Sequence, residues 1–247
     1  MEEISENKEL SQTWKGKNYF LCGKKIYIAP KFYNCFGTLL FIILLSISFI
    51  YLVILEIDNK KHKKFKISSL ILFITLTIFV LLFGLLCAFS DPGALPTNIL
   101  SPKELKNANT CSKNRLFYVN GFRHKVKFCY TCQIIRPPGV SHCKICNNCV
   151  EKFDHHCPWV GNCIGKNNYK FFYCFLSSFM FLCILNGFGS FGYFFRRVHK
   201  IKKLKNNCTN NNKESKYCNK KLFEIVFLEE YFLVIIFILS VVVSFIF

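Results

Sequence analysis

Between Cys129 and Cys163 the chain carries seven cysteines and three histidines in short, paired spacings: Cys129-x2-Cys132, His142-Cys143-x2-Cys146-x2-Cys149, His155-His156-Cys157 and finally Cys163. Thiolate sulfur and imidazole nitrogen are soft to borderline donors, and Zn2+ takes four of them in a closed structural site. Ten potential donors fill two such sites and leave at least one over. The surplus is where reactivity can reside. A thiol not consumed by metal becomes a nucleophile once deprotonated, and a histidine within hydrogen-bond reach can act as its base. Cys157 and His155 are two residues apart and fill these roles in an extended segment or turn, while His156 points the other way as a ligand. Asp154 is placed to orient His155 and to stabilise its imidazolium, the logic of a Cys-His-Asp triad built locally. A neighbouring histidine, zinc ions and cationic surroundings all favour the Cys157 thiolate. Two plainer readings stand beside this one. Cys157 is then a structural ligand or spare thiol, or the whole set forms disulfides in an oxidising lumen.

Composition indicates what holds these residues. The 247-residue chain is 52% hydrophobic and 17% aromatic, yet it has 33 Lys plus Arg against 14 Asp plus Glu. The apolar and basic residues are segregated into blocks, which is a membrane pattern. Apolar stretches occupy 35–57, 67–89, 171–195 and 222–247. The first three exceed the roughly 20 residues a helix needs to cross a bilayer. In the fourth, Glu224, Glu229 and Glu230 confine the uncharged part to 231–247, at the short end of the spanning range. Either its acidic turn sits at headgroup level or the chain is cut shortly after a span.

The expected fold class is an all-α membrane protein with four transmembrane helices and a loop-rich, cysteine-rich cytosolic domain between the second and third. The expected domains are an N-terminal segment over 1–34, a first transmembrane hairpin over 35–89, a central region over 90–170 and a second hairpin over 171–247. The cysteine-rich domain covers about 127–177, and Asp91-Pro92-Gly93, a helix-stopping turn signal, opens the central region. Basic residues lie on both sides of the spans, so the positive-inside rule does not orient them. Thiol chemistry does, because zinc thiolates and a free nucleophilic thiol persist in cytosol. Both termini and 90–170 are therefore placed in the cytosol, and the basic loops in the lumen. Asn207-Cys208-Thr209 is then a usable glycosylation sequon. The formal charge of +19 lacks the basic stripe with stacking aromatics that nucleic acid requires. Membrane lipid with an anionic surface is the expected partner, with biased use of Lys and Asn as the alternative source of the charge.

Asp154-His155-His156-Cys157-Pro158-Trp159, Asn162-Cys163-Ile164-Gly165 and Asn168-Tyr169-x2-Phe172 together resemble the signature of the DHHC protein S-acyltransferases, also called palmitoyltransferases. The resemblance extends through the upstream cysteines and Asp91-Pro92-Gly93. It implies two structural zinc ions, one held by Cys129, Cys132, His142 and Cys149, the other by Cys143, Cys146, His156 and Cys163. It implies Asp154, His155 and Cys157 as the catalytic group, a long-chain acyl-CoA such as palmitoyl-CoA as donor, and cysteines of membrane-associated proteins as acceptors. Trp159 would contact the acyl chain near the thioester, with an interfacial anchor as its plainer role. Phe175, Phe179 and Leu182, at helical spacing on the third span, would set chain length or simply pack the bundle. The resemblance favours the Golgi and endomembranes generally.

Two departures from the family pattern stand out. Gly139 replaces a usual basic residue, and the chain reaches Phe247 before any equivalent of the family's short Thr-Thr-x-Glu motif. A catalytically silent zinc-containing adaptor tolerates such changes and is the main rival class. A transporter is the other, but these spans lack the mid-span charges and helix breaks it needs.

Overall fold

The computed structural model describes residues 16–21, 26–54, 59–97, 107, 116–119, 121–125 and 127–210. The apolar blocks form helices: α1 is Tyr33–Phe49, α2 is Asn59–Phe89 and α3 is Tyr169–Asn210. A π-helical turn, Ile50–Ile54, carries the winding of α1 onward. Hydroxyl side chains within these apolar helices bond to carbonyls one turn back, as a hydrocarbon setting requires. Thr38 donates to Asn34 O at 3.1 Å, Thr75 to Ile71 O at 2.8 Å and Thr77 to Phe73 O at 2.9 Å. Over His62–Phe89 and Tyr169–Lys203, α2 and α3 are long and apolar enough to cross a membrane. The expected fourth span, 222–247, lies outside the described residues.

The expected polar loop after residue 195 begins as helix. α3 runs on to Asn210 because residues 196–210 contain no Gly or Pro and are rich in Lys and Arg, both good helix formers. α2 likewise starts ahead of its apolar run, with a break in helical geometry at His62.

The chain divides into two compact units, one comprising Met1–Leu40 and Leu81–Phe175, the other Phe41–Val80 and Leu176–Phe247. In the first unit the all-α expectation is corrected. Its described residues hold ten short strands paired as five antiparallel hairpins. β1 (Tyr19–Leu21) pairs with β2 (Ile26–Ile28), β3 (Leu116–Val119) with β4 (Phe122–Lys125) and β5 (Lys127–Cys129) with β6 (Ile134–Arg136). β7 (Ser141–Cys143) pairs with β8 (Asn148–Val150), and β9 (His156–Cys157) with β10 (Asn162–Cys163). Donors spaced two or three residues apart need tight turns to converge on one point, and two-stranded ribbons of two to four residues supply the turns. Strands this short carry no readable hydrophobic period.

The turns after Cys132 and Cys146 share a left-handed residue. Gln133 follows Cys132 with φ 53°, and Asn147 follows Cys146 with φ 56°. Asparagine tolerates this left-handed region better than most residues, and Gln133 adopts it at the matching position. Gly139 also has positive φ, 79°, in a turn where Val140 N donates to Pro137 O at 3.1 Å. Pro138 followed by a positive-φ residue is the pattern of a type II turn, so backbone geometry favours glycine at this departure from the family pattern.

Asp91 Oδ1 accepts from Gly93 N at 3.0 Å and Ala94 N at 2.9 Å, fixing the turn after α2. The strand-like segment that follows lies along β8, with Leu95 N donating to Cys149 O at 2.8 Å. Gly165 is pressed so closely here that a Cβ would sit 2.4 Å from Pro92 O. Tyr27, fully buried, packs with Val150 against Cys143, Cys146 and Cys163, and that burial pushes its phenol pKa up.

In the second unit, Phe49 stacks on Phe73 with centroids 4.6 Å apart and rests against Gly189. Thr77 Oγ1 and Ser46 Oγ lie 3.3 Å apart, and with the Thr77 hydrogen committed to Phe73 O the Ser46 hydroxyl is the one left to donate between them.

Candidate active site and metal centres

Each donor set joins the Cys-x2-Cys turn of one hairpin to a cross-strand His/Cys pair of the next. Cys129 and Cys132 lie at the turn of β5–β6, while His142 and Cys149 are direct partners across β7–β8. Their donor atoms lie within 4.8 Å of one another. His142 Nδ1 stands 3.5, 3.4 and 3.9 Å from the sulfurs of Cys129, Cys132 and Cys149. The pattern then shifts along by one hairpin. Cys143 and Cys146 lie at the turn of β7–β8, and His156 and Cys163 are direct partners across β9–β10. His156 Nδ1 stands 3.8, 3.5 and 3.6 Å from the sulfurs of Cys143, Cys146 and Cys163.

These distances suit zinc. A tetrahedron with Zn–S of about 2.3 Å and Zn–N of about 2.0 Å has S···N edges of about 3.5 Å. The thiols of each set are also coupled to one another. Donation from Cys149 holds Cys132 down at about 5, while Cys149 is pushed up chiefly by the same neighbour. Donation from Cys146 and Cys163 drives Cys143 down, and Cys163 is driven up chiefly by Cys143. Neighbouring thiolates repel one another unless a central dication relieves them. The two sets can therefore hold metal ions.

Strand alternation now separates the three consecutive residues of the signature. His156 and Cys163 turn toward the second donor set, so the adjacent pair, Cys157 and Asn162, projects from the opposite face of the same ribbon. Cys157 belongs to neither set and is 2% exposed. Burial pushes its thiol pKa up, and the N–H groups of Val160 and Trp159, directed at the sulfur, oppose that rise. Cys35 and Cys87, both buried, lie within electrostatic reach of it. His155 Nδ1 lies 3.4 Å from Asp154 Oδ2, and its ring meets Phe172 edge-on at 5.3 Å. Among the described residues no hydrogen bond joins His155 to Cys157. The structure thus brings the His155 ring and the Asp154 carboxylate together beside the ribbon that carries Cys157.

Trp159 sits in the turn of the β9–β10 ribbon and is 36% exposed. Phe175, Phe179 and Leu182 form a buried stripe along α3. Phe175 belongs to the same unit as Cys157 and packs near Gly84, whereas Phe179 and Leu182 belong to the second unit.

Two asparagines of the signature have structural roles that their sequence context did not reveal. Asn162, fully buried, donates through Nδ2 to the carbonyls of Cys87, Ala88 and Ser90 at 3.2, 3.0 and 2.9 Å, and its Oδ1 accepts from Cys163 N at 2.7 Å. It closes the C-terminal end of α2 and ties it to the strand opposite Cys157. Asn168 donates to Cys163 O at 2.8 Å and accepts from Gly165 N at 3.0 Å just ahead of α3. A neutral amide was the available signal, since it offers two N–H donors and a carbonyl acceptor on one short side chain. Asn162→Ala orphans several buried groups and is expected to cost about 3 kcal/mol, read as a lower melting temperature of the solubilised chain.

The comparisons with known proteins agree with this geometry. The family model described as DHHC palmitoyltransferase matches residues 123–247. "Probable protein S-acyltransferase 1" of Arabidopsis thaliana is 40% identical over 198 residues, covering 72% of this chain and 57% of that protein. "Protein S-acyltransferase 8" of Arabidopsis thaliana is 38% identical over 193 residues, covering 70% and 46%. "Palmitoyltransferase ZDHHC18" of Mus musculus is 36% identical over 190 residues, covering 70% and 49%. The chain spans about half the length of the curated relatives it matches. With its metal-set geometry and its spared thiol in place, and with half of its residues matched by the family model, the chain belongs to the DHHC palmitoyltransferase family.

Proposed function

We propose that this chain is a protein S-acyltransferase that moves a long-chain fatty acyl group from acyl-CoA, palmitoyl-CoA foremost, to cysteines of membrane-associated proteins. The observation that carries the reading is the β9–β10 register, which turns His156 toward a metal set and Cys157 away from it. In the first half-reaction the Cys157 sulfur attacks the thioester carbonyl carbon of the donor. The tetrahedral adduct collapses, the C–S bond to coenzyme A breaks and the CoA thiol leaves. In the second, the thiolate of an acceptor cysteine attacks the Cys157 thioester and Cys157 leaves as thiolate. His155 takes the proton of each attacking thiol and returns it to the departing sulfur, that of CoA in the first half and that of Cys157 in the second, while Asp154 stabilises the imidazolium. The N–H groups of Val160 and Trp159 are positioned to steady negative charge on the Cys157 sulfur.

Cys129, Cys132, His142 and Cys149 would hold one zinc ion, and Cys143, Cys146, His156 and Cys163 the other. Zinc supplies folding energy at both sites. Trp159 stands two residues beyond the Cys157 thioester, and Phe175, Phe179 and Leu182 line the α3 stripe on which a chain would rest. We place four spans in an endomembrane such as the Golgi, with the thiol-rich segment in reducing cytosol.

A burst experiment tests the reading. Purified chain given palmitoyl-CoA should release about one equivalent of CoA before any acceptor is added, the signature of a covalent intermediate. A cysteine peptide added next should become acylated. CoA release only in proportion to added peptide would exclude the two-step route. His155→Ala should slow the burst by about a hundred- to ten-thousand-fold while leaving zinc content unchanged.

A further inference from the structure

Tyr27 precedes the first apolar stretch of the chain, yet it is buried against the second donor set. It stands in the middle of β2, with Phe20 directly across the β1–β2 hairpin and the two rings meeting edge-on at 5.3 Å. Strand alternation turns Phe20 and Tyr27 to one face and leaves Tyr19, Leu21 and Ile26 exposed on the other. The inward face packs on Cys143, Cys146 and Cys163, and Lys17 N, just ahead of β1, donates to Cys146 O at 2.9 Å. Packing and backbone together fasten the hairpin to the turn that carries Cys146.

A phenyl ring would serve for that packing, so the hydroxyl needs its own account. Tyr27 is 0% exposed, and its Oη is buried without a hydrogen bond of ordinary length, as are both polar atoms of Asn148. Unpaired buried hydroxyls and amides are costly, and the neighbours here show what would satisfy them. Burial pushes the Tyr27 phenol pKa up, and Asn148 opposes that rise by donating toward its oxygen. Cys146 is pushed up chiefly by Cys143, and the Tyr27 hydroxyl opposes that rise by donating toward the sulfur. The arrangement is an unclosed chain of donors running from Asn148 through Tyr27 to Cys146.

Zinc ligation supplies the charge that closes such a chain. Three thiolates and a neutral imidazole around Zn2+ leave the set with one net negative charge, in a core where N–H and O–H groups must meet it. Cys143 Sγ accepts from Cys146 N at 3.4 Å. His156 Nε2 is buried with no partner among the described residues, so the imidazole is not anchored from behind and the hold on the set falls to its thiolate side. The hydrophobic residues packed on the first set, Val140, Leu95 and Ile134, carry no hydroxyl.

We propose that Tyr27 is a positioning residue for the second metal set, donating its hydroxyl to the Cys146 sulfur and accepting from Asn148 Nδ2, so that the N-terminal hairpin helps to hold the ion. This rests on the reading that Cys143, Cys146, His156 and Cys163 bind zinc. Because His156 and Cys163 are also partners across β9–β10, the hairpin then steadies the ribbon of Cys157 from a segment ahead of α1.

The full chain is purified in detergent, its zinc is counted by emission spectrometry, and the metal is withdrawn by graded amounts of a chromophoric chelator. Wild type is expected to hold two ions. Tyr27→Phe, which removes one oxygen and keeps the ring, should bind one of them about tenfold more weakly and the other as wild type does. Loaded with Co2+ instead, Tyr27→Phe should show its sulfur-to-cobalt charge-transfer band at lower energy, because a thiolate has lost a donor. Phe20→Leu removes packing at the same place, and it should lower the melting temperature with that band unmoved. Two ions in wild type, with Tyr27→Phe matching it in both affinities and in the band, overturns this proposal alone. Equal weakening of both ions by Tyr27→Phe overturns it as well. A wild-type chain that binds neither zinc nor cobalt fails the zinc reading itself, and the role of Tyr27 falls with it.

Discussion

Cys157→Ala is expected to reduce acyl loading to background while leaving the fold intact. The side chain occupies the ribbon face opposite the second donor set, so its sulfur contributes to neither metal group. Replacing a buried cysteine with alanine removes one heavy atom from a packed site and costs about 1 kcal/mol, too little to unfold a domain whose two donor sets, able to hold metal ions, are both left intact. The nucleophile, in contrast, has no substitute: Cys35 and Cys87 lie nearby but have no histidine–carboxylate pair adjacent in sequence. Hydroxylamine-sensitive labelling by an alkyne fatty acid should therefore vanish, with zinc content and melting temperature as in wild type. Labelling equal to wild type would make Cys157 a packing residue.

The opposite combination is expected at the metal sets. Cys146→Ala removes a donor whose sulfur lies 3.4 Å from Cys163 Sγ and 3.5 Å from His156 Nδ1. A structural zinc site contributes on the order of 10 kcal/mol to folding, and little apolar core exists in a region made of two- to four-residue strands to offset its loss. Cys146 belongs both to the donor set and to the packed cluster of Tyr27, Val150 and Cys163. Loss of the second ion should therefore loosen β9–β10, and with it the strand that carries Cys157. Emission spectrometry of the purified variant should show at least one zinc ion missing, with acyl loading lost at the same time. Chelation of the wild-type chain should do the same, and zinc added back before aggregation should restore both. Full loading by a zinc-depleted chain would contradict a folding role for the metal.

The comparison between Cys157 and Cys146 also shows what could be read from the sequence and why. Donor count and spacing were enough to expect two closed sites and one thiol to spare, because zinc chemistry constrains ligand number more tightly than it constrains fold. The pairing of β9 with β10 was not legible: a two-residue strand has no period, and its register emerges only when His156 and Cys163 are placed across from each other. The same limit hid the hairpins behind an all-α expectation. Asn162 and Asn168 stood inside the recognised motif, yet their roles as ties to the end of α2 and the start of α3 depend on partners up to 81 residues away. Gly139 was legible only as a departure from the family, whereas its positive φ and the Pro137 to Val140 turn supply the local reason. For α3, hydropathy ended the span at residue 195 although helix propensity carried the helix to Asn210.

The central claim is that one thiol among fifteen cysteines is the acyl carrier. The most direct measurement is to incubate the purified chain with palmitoyl-CoA, digest it without reducing agent and locate the thioester by tandem mass spectrometry. A single hydroxylamine-labile palmitoyl group is expected, on the peptide containing Cys157. An adduct on Cys35, Cys87 or a cysteine of either donor set, with Cys157 unmodified, would contradict it.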